Sequence, residues 1–416
     1  MASGWLHRSF PALANPQFRL LFLGTTFAQL AFGMMFVIQG IVAFELTGKN
    51  SAVGLVSLGM GTSMLILGPL GGTLSDRLSK RSLLMFTQSV IGAAFAVIGV
   101  LIALDVITIW LLVLATLAMG GMFAIMGPTR QAWVGDLLDG DLRSNGIALQ
   151  QIMMNATRIV GPLLAGGMVA IAVIGTAGVY FTMAALFAVV AVLLAFMQPT
   201  RSRQSSAPTS VFADIKDGLS YIRHEPQLRL LTLVFVGIVL SGFSYQTLMP
   251  GFLENELGQP SSQLGLLYGT SAVGGIVTTI VLAPRRPNAD PAFMLLFGAV
   301  LAVSLLLLAA APNYAVALGV ALLLGASSSG FQLLNNVNLM ERTRPEYLGR
   351  VMAVTMMAFG FNSVFAYPVG ALADAVGERP TMVVLAGACF GVIALALALS
   401  RTPAYREALR VARSEG

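Results

Sequence analysis

Residues 68–81 read GPLGGTLSDRLSKR. The stretch opens apolar and glycine-rich, passes through Asp76 and Arg77, and ends on Lys80 and Arg81. Charge-free apolar runs, 51–75 and 82–104, lead into it and away from it. Each run is long enough to cross a hydrocarbon core of about 30 Å, so the stretch reads as a tight charged turn between two membrane helices.

Composition extends that reading to the whole chain. Of 416 residues, 56% are hydrophobic and 10% charged, where a soluble domain carries about 25% charged residues. The chain is therefore a polytopic membrane protein. Cys389 is the single cysteine, and with only His7 and His224 beside it a disulfide framework, a zinc site or an iron–sulfur site lacks ligands. No metal and no cofactor are expected. The net charge of +6 sits in short loops between apolar runs, as orientation in a membrane requires, so no nucleic-acid partner is expected. Residues 1–18 lack a short apolar core with a small-residue cleavage site, and no cleaved leader is expected. An enzyme or receptor is disfavoured, because GxSxG, HExxH, Walker and dinucleotide motifs are absent and no sizeable soluble domain is present.

Runs 20–44, 51–75, 82–104 and 106–129 give four spans. Run 144–200, interrupted only by Arg158, gives two more with a break at 175–178. A polar segment at 199–227 follows. Within it Phe212, Ile215, Leu219 and Ile222 recur at helical spacing, which fits either a helix lying on the membrane surface or a solvated connector. Runs 230–253, 257–284, 292–340 (broken at 311–313), 351–373 and 380–400 supply six further spans. The expected architecture is all-α, with twelve transmembrane helices in two pseudo-symmetric six-helix bundles. These are residues 1–198 and 228–400, joined by a cytoplasmic linker at 199–227 and followed by a tail at 401–416. With the N-terminus cytoplasmic, all but three of the 24 Lys and Arg fall inside or in inside-facing turns, the exceptions being Lys49, Arg158 and Arg379. Asp141-Leu142-Arg143 with Gly161-Pro162-Leu163 also lines up with Tyr347-Leu348-Gly349 and Tyr367-Pro368-Val369. Duplicated halves of this kind mark transporters, with a substrate site expected near the midplane.

Residues 72–81, GTLSDRLSKR, resemble the signature loop between the second and third helices of the major facilitator superfamily, with Ser79 where a glycine is usual. Phe44-Glu45-Leu46-Thr47-Gly48, Pro128-Thr129-Arg130-Gln131-Ala132 and the run 155–162 resemble the bacterial drug:proton antiporter branch that includes siderophore and macrolide exporters. The resemblance implies a gate latch: Asp76 faces the helix that starts near Gly349, and Arg77 or Arg81 meets Asp136. Gly72, Lys80, Gly161 and Pro162 complete the gate set. Gly68 and Gly72, four apart, would clear one face for a neighbouring backbone.

Arg158 demands its own explanation, since a charge within a span costs at least about 2.5 kcal/mol on insertion scales and turns to a wet cavity or a partner. Gln151, Asn155 and Arg158 fall at i, i+4 and i+7, forming one polar stripe. Gln29, Met34, Gln39, Tyr245, Gln246, Asn335 and Asn362 are the other candidate substrate contacts, suited to a partly apolar solute. Each equally serves as helix-to-helix glue or packing. Proton coupling, implied by the resemblance, needs a titrating carboxylate, and Glu45 and Asp374 at outer helix ends are the candidates. The function expected is a monomeric multidrug-type or siderophore exporter of the bacterial inner membrane, working by proton antiport. An importer, a facilitator or a lysophospholipid carrier is the alternative.

Overall fold

The computed structural model describes residues 10–198, 211–282, 290–344, 346–402 and 405, and within these the side chains of 69–73, 75–77, 141 and 211–214 are outside the description. Among the described residues twelve helices are long and apolar enough to cross a membrane. In the first half they are α1 (Pro16–Thr47), α2 (Asn50–Arg77), α3 (Lys80–Ala103), α4 (Ile109–Leu137), α5 (Gly140–Val169) and α6 (Gly175–Ala195). After α7 (Val211–His224) come α8 (Pro226–Gly242), α9 (Leu264–Leu282), α10 (Pro291–Ala309), α11 (Tyr314–Arg342), α12 (Leu348–Val376) and α13 (Glu378–Ser400). Beyond α8 the chain stays helical in irregular turns, a 3-10 stretch at Ser244–Leu248 and a π turn at Phe252–Glu256, so that its span runs to Glu256.

Helix limits follow local chemistry. Asn15 caps α1, its Oδ1 accepting from the N–H groups of Gln17 and Phe18, and Pro16 begins the helix where its missing N–H costs nothing. Gly48 ends it in the left-handed region at φ 63°. Asn313 caps α11 after the break at 311–313, as the sequence indicates. The break before α6 lies at 170–174, just ahead of the glycines expected to make it.

The chain forms two compact units. Unit 1 comprises Met1–Gly48, Leu55–Val211 and Ser261–Gly269; unit 2 comprises Lys49–Gly54, Phe212–Pro260 and Thr270–Gly416. Within unit 1 the main helix pairs are α3 with α6, α1 with α5, α1 with α6, and α3 with α4. Unit 2 repeats the scheme with α10 against α13, α8 against α12, α8 against α13, and α10 against α11. The two packing patterns are the same once each helix is matched to its counterpart six spans on. In unit 1 the buried Phe95 meets Phe187 edge to face at 5.5 Å and Tyr180 at 6.1 Å. Unit 2 has Phe235 stacked on Phe331 at 5.8 Å. Such pairs add about 0.5–1.5 kcal/mol beyond area burial.

The first turn of α2 groups with unit 2 and residues 261–269 with unit 1. Helix α7 docks within unit 2: Ile222 is buried, Tyr221 stacks on Tyr347 at 4.3 Å, and a Cβ on Gly218 would meet the Arg350 backbone at 3.0 Å. Of its apolar residues Leu219 stays exposed, and the Phe212 side chain lies outside the described residues.

Candidate functional site

Helix α5 carries the polar stripe. Gln151 and Arg158 are exposed and Asn155 half-buried, and Gln151 Nε2 donates to Asn155 Oδ1 at 3.5 Å. Arg158 has no hydrogen bond or ion pair with any described residue. The same face continues one and two turns on through Pro162 and Gly166. There the segment Ser261–Gly269 of unit 1 covers it, with Gly265 Cα lying 2.8 Å from where a Cβ on Gly166 would sit. The neighbouring face of α5 rests on α1: a Cβ on Gly161 would come within 2.8 Å of the Gly33 backbone. Gly161 is thus a close-approach glycine. Gly68 is not, because nothing lies within 4 Å of its Cβ position.

Arg130 was counted from sequence among the charges of an inside-facing turn. The structure places it inside α4, which continues to Leu137, and leaves it 9% exposed. Its Nη2 lies 3.5 Å from the Met126 sulfur, and its Nε has no partner among the described residues. The signal was present in the sequence. Met126, Arg130 and Trp133 follow helical spacing, and Met126 and Trp133 are buried, so Arg130 lies in an apolar stripe.

The gate residues divide. The side chains of Gly72, Asp76 and Arg77 lie outside the described residues. Asp136 pairs with Lys80, and the two side chains are 16% and 7% exposed. Arg81 instead reaches the end of α6, donating from Nε to Leu194 O at 3.1 Å and from Nη2 to Ala195 O at 2.6 Å. Arg143 does the same for α4 through Gly135 O and Leu138 O. These guanidiniums satisfy the carbonyls that a helix end leaves unpaired.

Among the candidate contacts, Met34 is wholly buried and Gln29 half-buried. Gln39 is buried with Nε2 unpartnered, and Asn335 is wholly buried with neither amide atom partnered among the described residues. Gln88 on α3, which sequence reasoning passed over, is buried in the same condition. Tyr245 is buried and Gln246 half-buried in the 3-10 stretch after α8, and Asn362 Oδ1 accepts from Ser244 Oγ at 2.8 Å.

Four acids at helix ends, Glu45, Asp374, Glu378 and Glu256, have named partners. Glu45 Oε1 accepts from Ser261 Oγ at 3.0 Å. In unit 2, Asp374 Oδ1 accepts from the backbone N–H of Asn50 at 2.7 Å, and its Oδ2 from that of Ser51 at 3.1 Å. Glu378, absent from the sequence candidates, is 4% exposed; its Oε1 accepts from the amides of Asn50 and Asn255, each at 2.8 Å. Arg379 Nε donates to Glu256 Oε2 at 2.6 Å.

The sequence profile described as Major Facilitator Superfamily matches residues 21–366. The chain is 25% identical over 364 residues to the staphyloferrin A transporter of Staphylococcus aureus, covering 86% of this chain and 88% of that one. It is 23% identical over 369 residues to the enterobactin exporter EntS of Escherichia coli, covering 83% and 82%. A crystal structure of a bacterial homologue of the iron transporter ferroportin superposes with TM-score 0.74 at 16% identity, over 93% of this chain and 99% of that one.

Proposed function

Because the chain belongs to the Major Facilitator Superfamily, and is thus a multi-pass membrane transporter, we propose that it exports amphipathic small molecules of drug, macrolide or siderophore type. The observation that carries this reading is the α5 stripe, where Arg158 stands exposed within a span and without a partner among the described residues. An exposed guanidinium at that depth belongs where water or cargo reaches it. Two relatives bearing siderophore names, each matched over more than four-fifths of its length, support the cargo class and, through one of them, the direction.

In this reading the protein lies in the bacterial inner membrane as a monomer with both termini cytoplasmic, consistent with the distribution of Lys and Arg. Gly72, Asp76, Arg77, Lys80, Arg81, Asp136, Gly161 and Pro162 form the gate, and the Lys80–Asp136 pair is its described ionic element. Export is driven by proton antiport, with Glu45 and Asp374 as the carboxylates to neutralise first.

A sided assay tests the proposal. Cells making the protein should accumulate fluorescent amphiphiles several-fold less than cells without it, and inverted vesicles should take the same dyes up when a proton gradient is imposed. Greater accumulation in the cells would reverse the direction and favour an importer.

A further inference from the structure

Unit 1 buries or exposes two guanidiniums within its spans and supplies no carboxylate to either among the described residues. Arg130 is 9% exposed with Nε unpartnered, its one polar contact being a thioether sulfur. Arg158 has no polar partner among the described residues. Two acids of this unit are engaged elsewhere. Asp136, six residues beyond Arg130 on the same helix, is held by Lys80, and Glu45 accepts from Ser261. A lone charge in a low-dielectric span is so costly that burial is tolerated only where a counter-charge arrives or water reaches it. Helix-end carbonyls, which satisfy Arg81 and Arg143 in this unit, are not used by either residue.

We propose that the cargo is an anion, and that Arg130 and Arg158 receive its negatively charged groups. The planar fork of guanidinium matches a carboxylate or a similar paired-oxygen anion through two parallel N–H bonds, which lysine cannot reproduce. The stripe residues Gln151 and Asn155 offer neutral amides along the same face of α5 as Arg158, and Arg130 lies on α4 in register with Phe123, one face and two turns away. Phe123 itself meets Phe32 of α1 edge to face at 4.9 Å. Apolar surface along the α4 stripe of Arg130, with two cations unpaired among the described residues, selects an aromatic or amphipathic anion over a cationic drug. This inference deepens the proposed reading and depends on it for the existence of a small-molecule cargo, not for its direction.

Binding of two xanthene dyes of similar frame and opposite charge, 5-carboxyfluorescein and rhodamine 6G, to the purified full-length protein tests it. The anionic dye should bind about tenfold or more tightly than the cationic one, the factor a charge-assisted pair supplies. Arg158→Met, at an exposed position, should lose about tenfold on the anionic dye and little on the cationic one, and Arg158→Lys should restore only part. Arg130→Met should act in the same direction, and if it fails to fold the Arg158 variants decide alone. Equal or tighter binding of rhodamine 6G, no binding of carboxyfluorescein, or equal losses on both dyes would overturn the inference. The sided assay separates the two readings. An anionic dye bound but carried inward sinks the exporter and leaves the anion site, while outward movement of cationic dyes alone does the reverse.

Discussion

Burying the Glu378 carboxylate is tolerable because its Oε1 accepts two amide N–H groups, from Asn50 and Asn255. Those two donors are equally dependent on it, since a buried donor without an acceptor costs about 1–3 kcal/mol. Glu378→Leu should therefore lower stability by about 2–5 kcal/mol, seen as a fall in thermal midpoint in detergent. Glu378→Gln keeps an acceptor oxygen in place and should cost less than half as much. Equal losses would mean that the charge, and not the hydrogen bonds, matters. Nothing in the sequence singled this residue out, because it stands beside Gly377 between two apolar runs where an acid reads as a wet loop residue. Its partners lie 328 and 123 positions away, and periodicity carries no information about such distances. The same blindness hid Lys80 as the partner of Asp136. Arg130 was different: its place in a buried stripe was legible, and was missed because the apolar run was ended at the first charge.

At the level of the element, α5 shows what small residues decide. Gly161 approaches the Gly33 backbone so closely that an added Cβ would sit 2.8 Å from it, whereas Gly167, further along toward the helix end, has nothing within 4 Å. A backbone cannot step aside as a side chain can, so Gly161→Val should cost about 1–3 kcal/mol or more through overpacking. Gly167→Ala should be neutral or stabilising by up to about 1 kcal/mol, because alanine is the better helix former. Thermal unfolding of the two variants side by side checks both signs. Helix positions were largely legible because twenty-residue apolar runs bounded by charges admit few other structures in lipid. What a glycine faces was not, and Gly68 and Gly161 could not be told apart by spacing alone. Helix α7 makes the same point: its periodicity announces a helix, but not the stacking of Tyr221 on Tyr347 that ties it to unit 2.

For the whole molecule, duplication is the governing fact. The sequence carried it as faint likenesses around Pro162 and Pro368, while the structure carries it as one packing scheme used twice, including a proline inside α5 and again inside α12. The first turn of α2 belongs with unit 2 although the rest of the helix belongs with unit 1, and Asp374 holds that turn by accepting hydrogen bonds from the backbone N–H groups of two consecutive residues. A helix ordinarily leaves its first N–H groups to water, so the Asn50 and Ser51 amides should exchange with deuterium slowly. In Asp374→Ala they should exchange about tenfold faster, the factor that corresponds to losing a cap worth roughly 1.4 kcal/mol. Unchanged rates would show that the carboxylate does not govern the turn. The backbone thus contains a clock of two protons, whose ticking records how often the turn lets go, with no label, no dye and no knowledge of the cargo.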